Sequence, residues 1–217
     1  MKPSAAPVSI AIRRLRRSEL PADTVALARF LIGKAVVREQ VTGRISGRIV
    51  ETEAYPCGDP AAHHYIGPTP RNRSMYLRRG HAYVYFSYGN HFMLNVSAEI
   101  EGVGGGVLIR ALEPLEGIEE MKLHRQTTDI QRLTSGPGCL ARALQVDRGL
   151  DGVDLCAPGP LWLGALVESH ALFPGQKRAS LAIGKSTRIG ITRAARRLLR
   201  FYERGNPFVS GPARLRS

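Results

Sequence analysis

The chain has 217 residues, 43% of them hydrophobic, which suits one folded domain and excludes a wholly disordered chain. It has no run of roughly 18 apolar residues, so no membrane-spanning segment is predicted. Its three cysteines (Cys57, Cys139, Cys156) lack a disulfide-framework spacing, which fits a reducing compartment. The net charge of +13 is concentrated at the ends, where residues 1–20 carry five basic and one acidic side chain and residues 176–217 eleven and one. A near-neutral body with basic ends points to a polyanionic partner, nucleic acid ahead of an anionic membrane surface.

In chain order, residues 1–17 read as a basic tail. A helix is predicted over 21–33, where Pro21 suits a first turn, Val25, Ala28 and Leu31 recur at helical spacing, and Gly33 can end it. Between 34 and 55, β-branched residues dominate and predict strands. Residues 56–80 are rich in Pro, Gly, Arg and His and predict a long surface loop of the kind that carries function. The aromatic and β-branched runs 82–88 and 91–97 flank Gly89-Asn90, a hairpin signal. Residues 106–112 read as a buried strand. A helix is predicted over 114–125, opening on Pro114, with glutamates early and Lys122 and Arg125 late. A short helix is expected after Gly138, and further strands and loops across 160–217. Strand runs with isolated helices argue for a single α+β domain rather than alternating βαβ units.

Several familiar motifs fail on inspection. Gly184-Lys185-Ser186-Thr187 resembles the end of a phosphate-binding loop, but Ala179 stands where that loop needs glycine. Gly102 to Gly106 lacks the last glycine of a dinucleotide fingerprint, because Val107 occupies its place. Cys57, His63 and His64 share a loop, yet no Cys-x-x-Cys accompanies them, so no metal site is expected.

The feature left with chemical content is an acidic strand that leads into a His- and Arg-rich loop and then a tyrosine-rich hairpin. Strand alternation puts Glu51, Glu53 and Tyr55 on one face. For an arbitrary chain, that face would simply be solvated. Tyr83 and Tyr85 likewise share a face, while Tyr88 points oppositely beside the turn. A tyrosine there has little core to bury in, and either packs locally or wedges into a partner.

These segments resemble the alkyladenine DNA glycosylase (methylpurine-DNA glycosylase) family. GRIVETEAY (47–55), AAHH (61–64), TPRNRSMY (69–76), YVYFSYGNHFMLNVS (83–97), VLIRALEPLEG (107–117), TSGPGCLARAL (134–144) and LRFYERGNPFVS (199–210) follow in family order and spacing. The resemblance covers residues 18–212, leaving basic tails at 1–17 and 213–217. It implies a mixed domain with a curved antiparallel sheet, flanking helices and a protruding hairpin. It also implies double-stranded DNA as partner, entered through the minor groove at damaged purines, with no cofactor, no metal and no membrane. A monomer working in the cytoplasm at the nucleoid, or in the nucleus of a eukaryote, is expected.

By motif, the resemblance makes Glu53 the water-activating base, with Arg110 beside it. Tyr55, His63, Tyr85 and Asn95 would line the pocket for an extruded base, and Tyr88 and Met75 would intercalate. Arg71, Arg73, Arg142, Arg196 and Arg197 are expected to face the DNA backbone. This chain departs from many members in carrying Cys139 where they carry lysine, which leaves Arg142 or the C-terminal arm to contact phosphate there. The implied reaction is cleavage of the N-glycosidic bond of alkylated or deaminated purines. The reading from another class is a damage binder without turnover, against which Glu53 argues, because a pure binder gains little from a carboxylate aimed at a polyanion.

Overall fold

A computed structural model describes residues 11–87, 89–167 and 181–212. Strands β1 (Ile12–Arg14), β2 (Ala35–Gln40), β3 (Gly43–Tyr55), β4 (Ala82–Ser87), β5 (His91–Ser97), β6 (Gly106–Glu116), β7 (Leu161–Leu166), β8 (Ile183–Ser186) and β9 (Arg200–Glu203) form one sheet. Its main path runs β1-β7-β2-β3-β6-β5-β4, and β9, with β8 beyond it, pairs with β3. Every strand pairing among the described residues is antiparallel, so the α+β expectation holds.

The long strand β3 organises the molecule. Its first half pairs with β2 and its second half with β9, while β6 accompanies nearly its whole length. Register shifts around Glu51 mark an irregularity where the pairing changes. Helices α1 (Thr24–Leu31), α2 (Ile118–Arg125) and α3 (Pro137–Ala143) bury Leu27, Leu31, Met121 and Leu140 in one core with Ile45, Ile49, Leu94, Ile109 and Leu112 from the sheet. α1 is shorter than the 21–33 expected, because Asp23 is its N-cap and accepts from the Ala26 amide at 2.7 Å.

The second helix begins later than predicted. Pro114 lies inside β6, opposite Gly47 at a register shift, where a residue without an N–H is tolerated. Gly117 then turns the chain at φ 69°, a left-handed conformation suited to glycine, and the helix starts at Ile118. The 56–80 segment holds short 3-10 turns at His63–Ile66 and Arg73–Tyr76, and Gly184-Lys185-Ser186 belongs to strand β8.

The β4–β5 hairpin projects from the sheet, since β6 pairs only with Asn95–Ser97 and leaves the outer pairs unsupported on that side. Helix α3 packs beneath it. A Cβ at Gly138 would come within 2.8 Å of His91, so this close approach requires glycine. The outer edge of β4 is closed without a strand: Asp151 accepts from the Val84 amide at 2.8 Å and Arg148 donates to the Val84 carbonyl at 2.6 Å.

Candidate active site

Two carboxylates leave the same stretch of β3, and both are completely buried. The solvated face open to an arbitrary sequence is therefore not what Glu51 and Glu53 occupy. Glu51 Oε1 accepts from Arg110 Nε at 2.9 Å and Arg200 Nε at 2.6 Å, and its Oε2 from the Ser210 amide at 2.7 Å. Glu53 Oε1 lies 3.2 Å from an Arg110 terminal nitrogen and accepts from the Ile189 amide at 2.8 Å. Its Oε2 accepts from the Tyr55 hydroxyl at 2.9 Å. Burial pulls the Arg110 pKa down, but the charges of Glu53 and then Glu51 outweigh it and leave the value raised. Burial first, then the neighbouring Glu53 charge, pushes the Tyr55 phenol well above its usual range, so Tyr55 is a fixed donor.

In front of Glu53 opens a cavity of about 510 Å³. Tyr55, Arg110 and Ile189, all three bonded to Glu53, form part of its wall, which sets the carboxylate one bond behind the surface. Tyr83 and Tyr85 stack with centroids 5.3 Å apart, and the His63 ring meets Tyr85 edge-on at 4.4 Å. His63 Nδ1 lies 3.0 Å from the Tyr83 hydroxyl. Burial of the ring, then the Arg71 and His64 charges, lower the His63 pKa, which favours a neutral imidazole. Asn95 donates to the Tyr83 carbonyl at 3.1 Å, and that bond fixes its amide at the cavity edge. The result is an aromatic slot for a flat ring, with a carboxylate behind it and arginines beside it.

Residues 18–207 match the model of the Methylpurine-DNA glycosylase (MPG) family. The chain is 60% identical over 201 residues to a protein of Mesorhizobium japonicum, covering 93% of this chain and 92% of that one. It is 48% identical to one of Paraburkholderia phytofirmans (93% and 90% covered) and 47% to one of Methanoculleus marisnigri (87% and 94%). All three carry the name "Putative 3-methyladenine DNA glycosylase".

The chain belongs to the methylpurine-DNA glycosylase family.

In this member of the methylpurine-DNA glycosylase family, Tyr55, His63, Tyr85, Asn95 and Arg110 converge on one cavity, with Glu53 behind its wall. Met75, expected beside the wedge, also lines the cavity and is 3% exposed, packed near Gly106. Tyr88 lies outside the described residues. Arg71, Arg73, Arg142, Arg196 and Arg197 are all exposed. Three of them are partly committed, since Arg71 donates to the Phe86 carbonyl at 2.8 Å, Arg142 to the His124 carbonyl at 2.8 Å, and a terminal nitrogen of Arg197 lies 3.8 Å from Asp59 Oδ2.

Sequence reasoning missed the segment 188–193. Ile189, Gly190, Ile191, Thr192 and Arg193 close one side of the cavity, and Arg188 packs behind Tyr55. It also missed Arg200 and Ser210, which satisfy Glu51 across about 150 positions of chain. The only signal was compositional: Arg200 and Ser210 lie within LRFYERGNPFVS, quoted above without a role. Among the described residues, no group of three His, Cys, Asp or Glu side chains could hold a metal ion, and no helix is long and apolar enough to cross a membrane.

Proposed function

We propose that this chain removes alkylated or deaminated purines from double-stranded DNA by hydrolysing the N-glycosidic bond, with 3-methyladenine among its substrates. The observation that carries the reading is Glu53: a fully buried carboxylate, held by the Ile189 amide, Arg110 and Tyr55, at the back of an aromatic cavity. A purine stacked in a duplex cannot reach such a cavity, so it must be extruded from the helix. The hairpin enters the minor groove with Tyr88 at its tip filling the gap, and the exposed arginines at 71, 73, 142, 196 and 197 meet phosphates.

Once the base is seated, its departure builds positive charge on the sugar, which the Glu53 carboxylate stabilises. Oε1 is already taken by Ile189 and Arg110, whereas Oε2 accepts only from Tyr55 among the described residues, leaving a lone pair for a water. The water oxygen bonds to the anomeric carbon, its proton passes to Glu53, and the base leaves with the electrons of the broken bond. An N-alkylated cationic base becomes neutral as it leaves, whereas a neutral base such as hypoxanthine must also gain a proton. No lysine lines the cavity among the described residues, so nothing there offers an amine for a Schiff base. Hydrolysis by water leaves an intact abasic site. The relatives named above are bacterial and archaeal, so the setting proposed is a prokaryotic nucleoid rather than a nucleus.

The test is a duplex with a single hypoxanthine, incubated with the protein and then cleaved in hot alkali. Wild-type protein should yield strand breaks only after alkali. Glu53→Gln cannot accept the proton, and base release should fall by at least ~10²-fold while lesion binding persists. Retention of the duplex without breaks by the wild-type protein would overturn the reading.

A further inference from the structure

One buried ion pair has no part in the chemistry above. The Arg188 side chain is wholly buried, with one terminal nitrogen 2.8 Å from Asp59 Oδ2 and the other donating to Oδ1 at 3.1 Å. Arg188 also donates to the Ala54 carbonyl at 3.0 Å, and its guanidinium carbon lies 4.5 Å from the centre of the Tyr55 ring. Asp59 is equally buried and accepts from the Ala61 amide at 2.9 Å. Such a pair is weak evidence for stability, because removing both charges from water offsets their attraction. Here the balance is poorer still, since Arg188 Nε is buried with no acceptor among the described residues.

Its position supplies the reason. Arg188 immediately precedes Ile189, whose amide holds Glu53 Oε1, and it packs against Tyr55, whose hydroxyl holds Oε2. The carbonyl it grips belongs to Ala54, between Glu53 and Tyr55 on β3. Asp59 opens the segment that brings Pro60, Ala61 and His63 to the cavity. One ion pair thus ties together the end of β3, the 59–63 loop and the 188–193 wall. Of the three groups that hold Glu53, only Arg110 is anchored elsewhere, by Glu51.

We propose that Asp59 and Arg188 form a positioning pair that aims the Glu53 carboxylate by fixing both of its non-arginine donors, the Tyr55 hydroxyl and the Ile189 amide. Neither residue touches the substrate. The proposal rests on the reading of Glu53 as the base, and predicts that loosening the pair slows bond cleavage without weakening recognition. Errors of about 1 Å in a reacting group suffice for about a hundredfold loss of rate.

Arg188→Gln alone would leave the buried Asp59 carboxylate with only the exposed Arg197, 3.8 Å away, as a charged partner, which endangers folding. The decisive variant is therefore the double substitution Asp59→Asn with Arg188→Gln, which removes both charges and keeps hydrogen-bonding side chains of similar volume. Full-length wild-type and double-variant proteins are compared on the single-hypoxanthine duplex, measuring single-turnover cleavage rate, lesion affinity and thermal unfolding. Wild-type cleavage is the control for the parent reading, and its absence would sink that reading rather than this one. With wild type active, the expected result is a ten- to hundredfold slower rate at unchanged affinity and a cooperative unfolding transition. A folded double variant that cleaves at the wild-type rate, or one whose affinity falls in step with its rate, would overturn the positioning role.

Discussion

Glu51 and Glu53 stand two positions apart on one strand, and Arg110 touches both, yet their partners divide the work between them. Glu51 is enclosed by Arg110, Arg200 and the Ser210 amide, so both its oxygens are occupied. Glu51→Gln would leave two buried guanidinium groups short of charge and should cost stability, by about 3 kcal/mol or more, read in denaturant unfolding. Glu53→Gln should instead leave stability less affected and abolish cleavage. A second residue-scale prediction concerns Asn95, whose amide is fixed by the Tyr83 carbonyl at the cavity edge. Guanine differs from adenine and hypoxanthine in its exocyclic 2-amino group, and a side chain in that space would penalise it by ~1–3 kcal/mol. Asn95→Gly should raise the release of mismatched guanine relative to hypoxanthine in single-turnover assays. A third concerns pH. His64 Nε2 lies 3.0 Å from the Pro56 carbonyl, which can only accept, so Nε2 carries the proton and the buried Nδ1 has no partner among the described residues. Burial lowers the His64 pKa despite the Pro56 carbonyl's opposing effect. The unfolded chain then binds more protons as pH falls through about 6.5, so stability falls with it. His64→Gln should flatten part of that fall between about pH 7 and 5 in thermal unfolding.

At the scale of elements, the hairpin and the helix beneath it form the unit that presents the aromatic slot. Phe86 and Phe92 pair on the opposite face from Tyr83 and Tyr85, as strand alternation requires, with Phe86 46% exposed. α3 can support this hairpin only because Gly138 lets β5 approach. Gly138→Ala should push His91 and the hairpin away, at a cost of about 1–3 kcal/mol. Lesion affinity should fall with it, and calorimetry with a binding titration checks both. The hairpin, the strand before the 56–80 segment and their facing tyrosines were legible in the sequence because period-2 patterning is local. The boundary of the second helix was not. Pro114 suits a first helical turn, but a register shift opposite Gly47 accommodates it in a strand instead.

Across the whole molecule, charge and termini interact with the site. The exposed arginines form a dispersed basic surface, and about five neutralised phosphates would give log affinity a slope near −4.5 against log salt. A slope near zero in a salt titration of duplex binding would contradict a nucleic-acid partner. The C-terminal arm is not separable from the core at Val209, because the Ser210 amide and carbonyl bond to Glu51 and Arg200. Truncation after Val209 should therefore destabilise the protein, read as a lower midpoint in thermal unfolding.

The sequence by itself determined the family, the hairpin and the identity of the carboxylate strand, because those features are contiguous runs whose pattern repeats within a few residues. Tertiary structure alone decided that Glu51 and Glu53 are buried rather than solvated, and that they share only Arg110 among their partners. Their distant partners are Arg110, Ile189, Arg200 and Ser210, which lie between about 50 and 160 positions away along the chain. No local periodicity connects residues so far apart. The antiparallel pairing of β3 with β6 and β9 brings the Arg110 and Arg200 charges within bonding distance of these carboxylates.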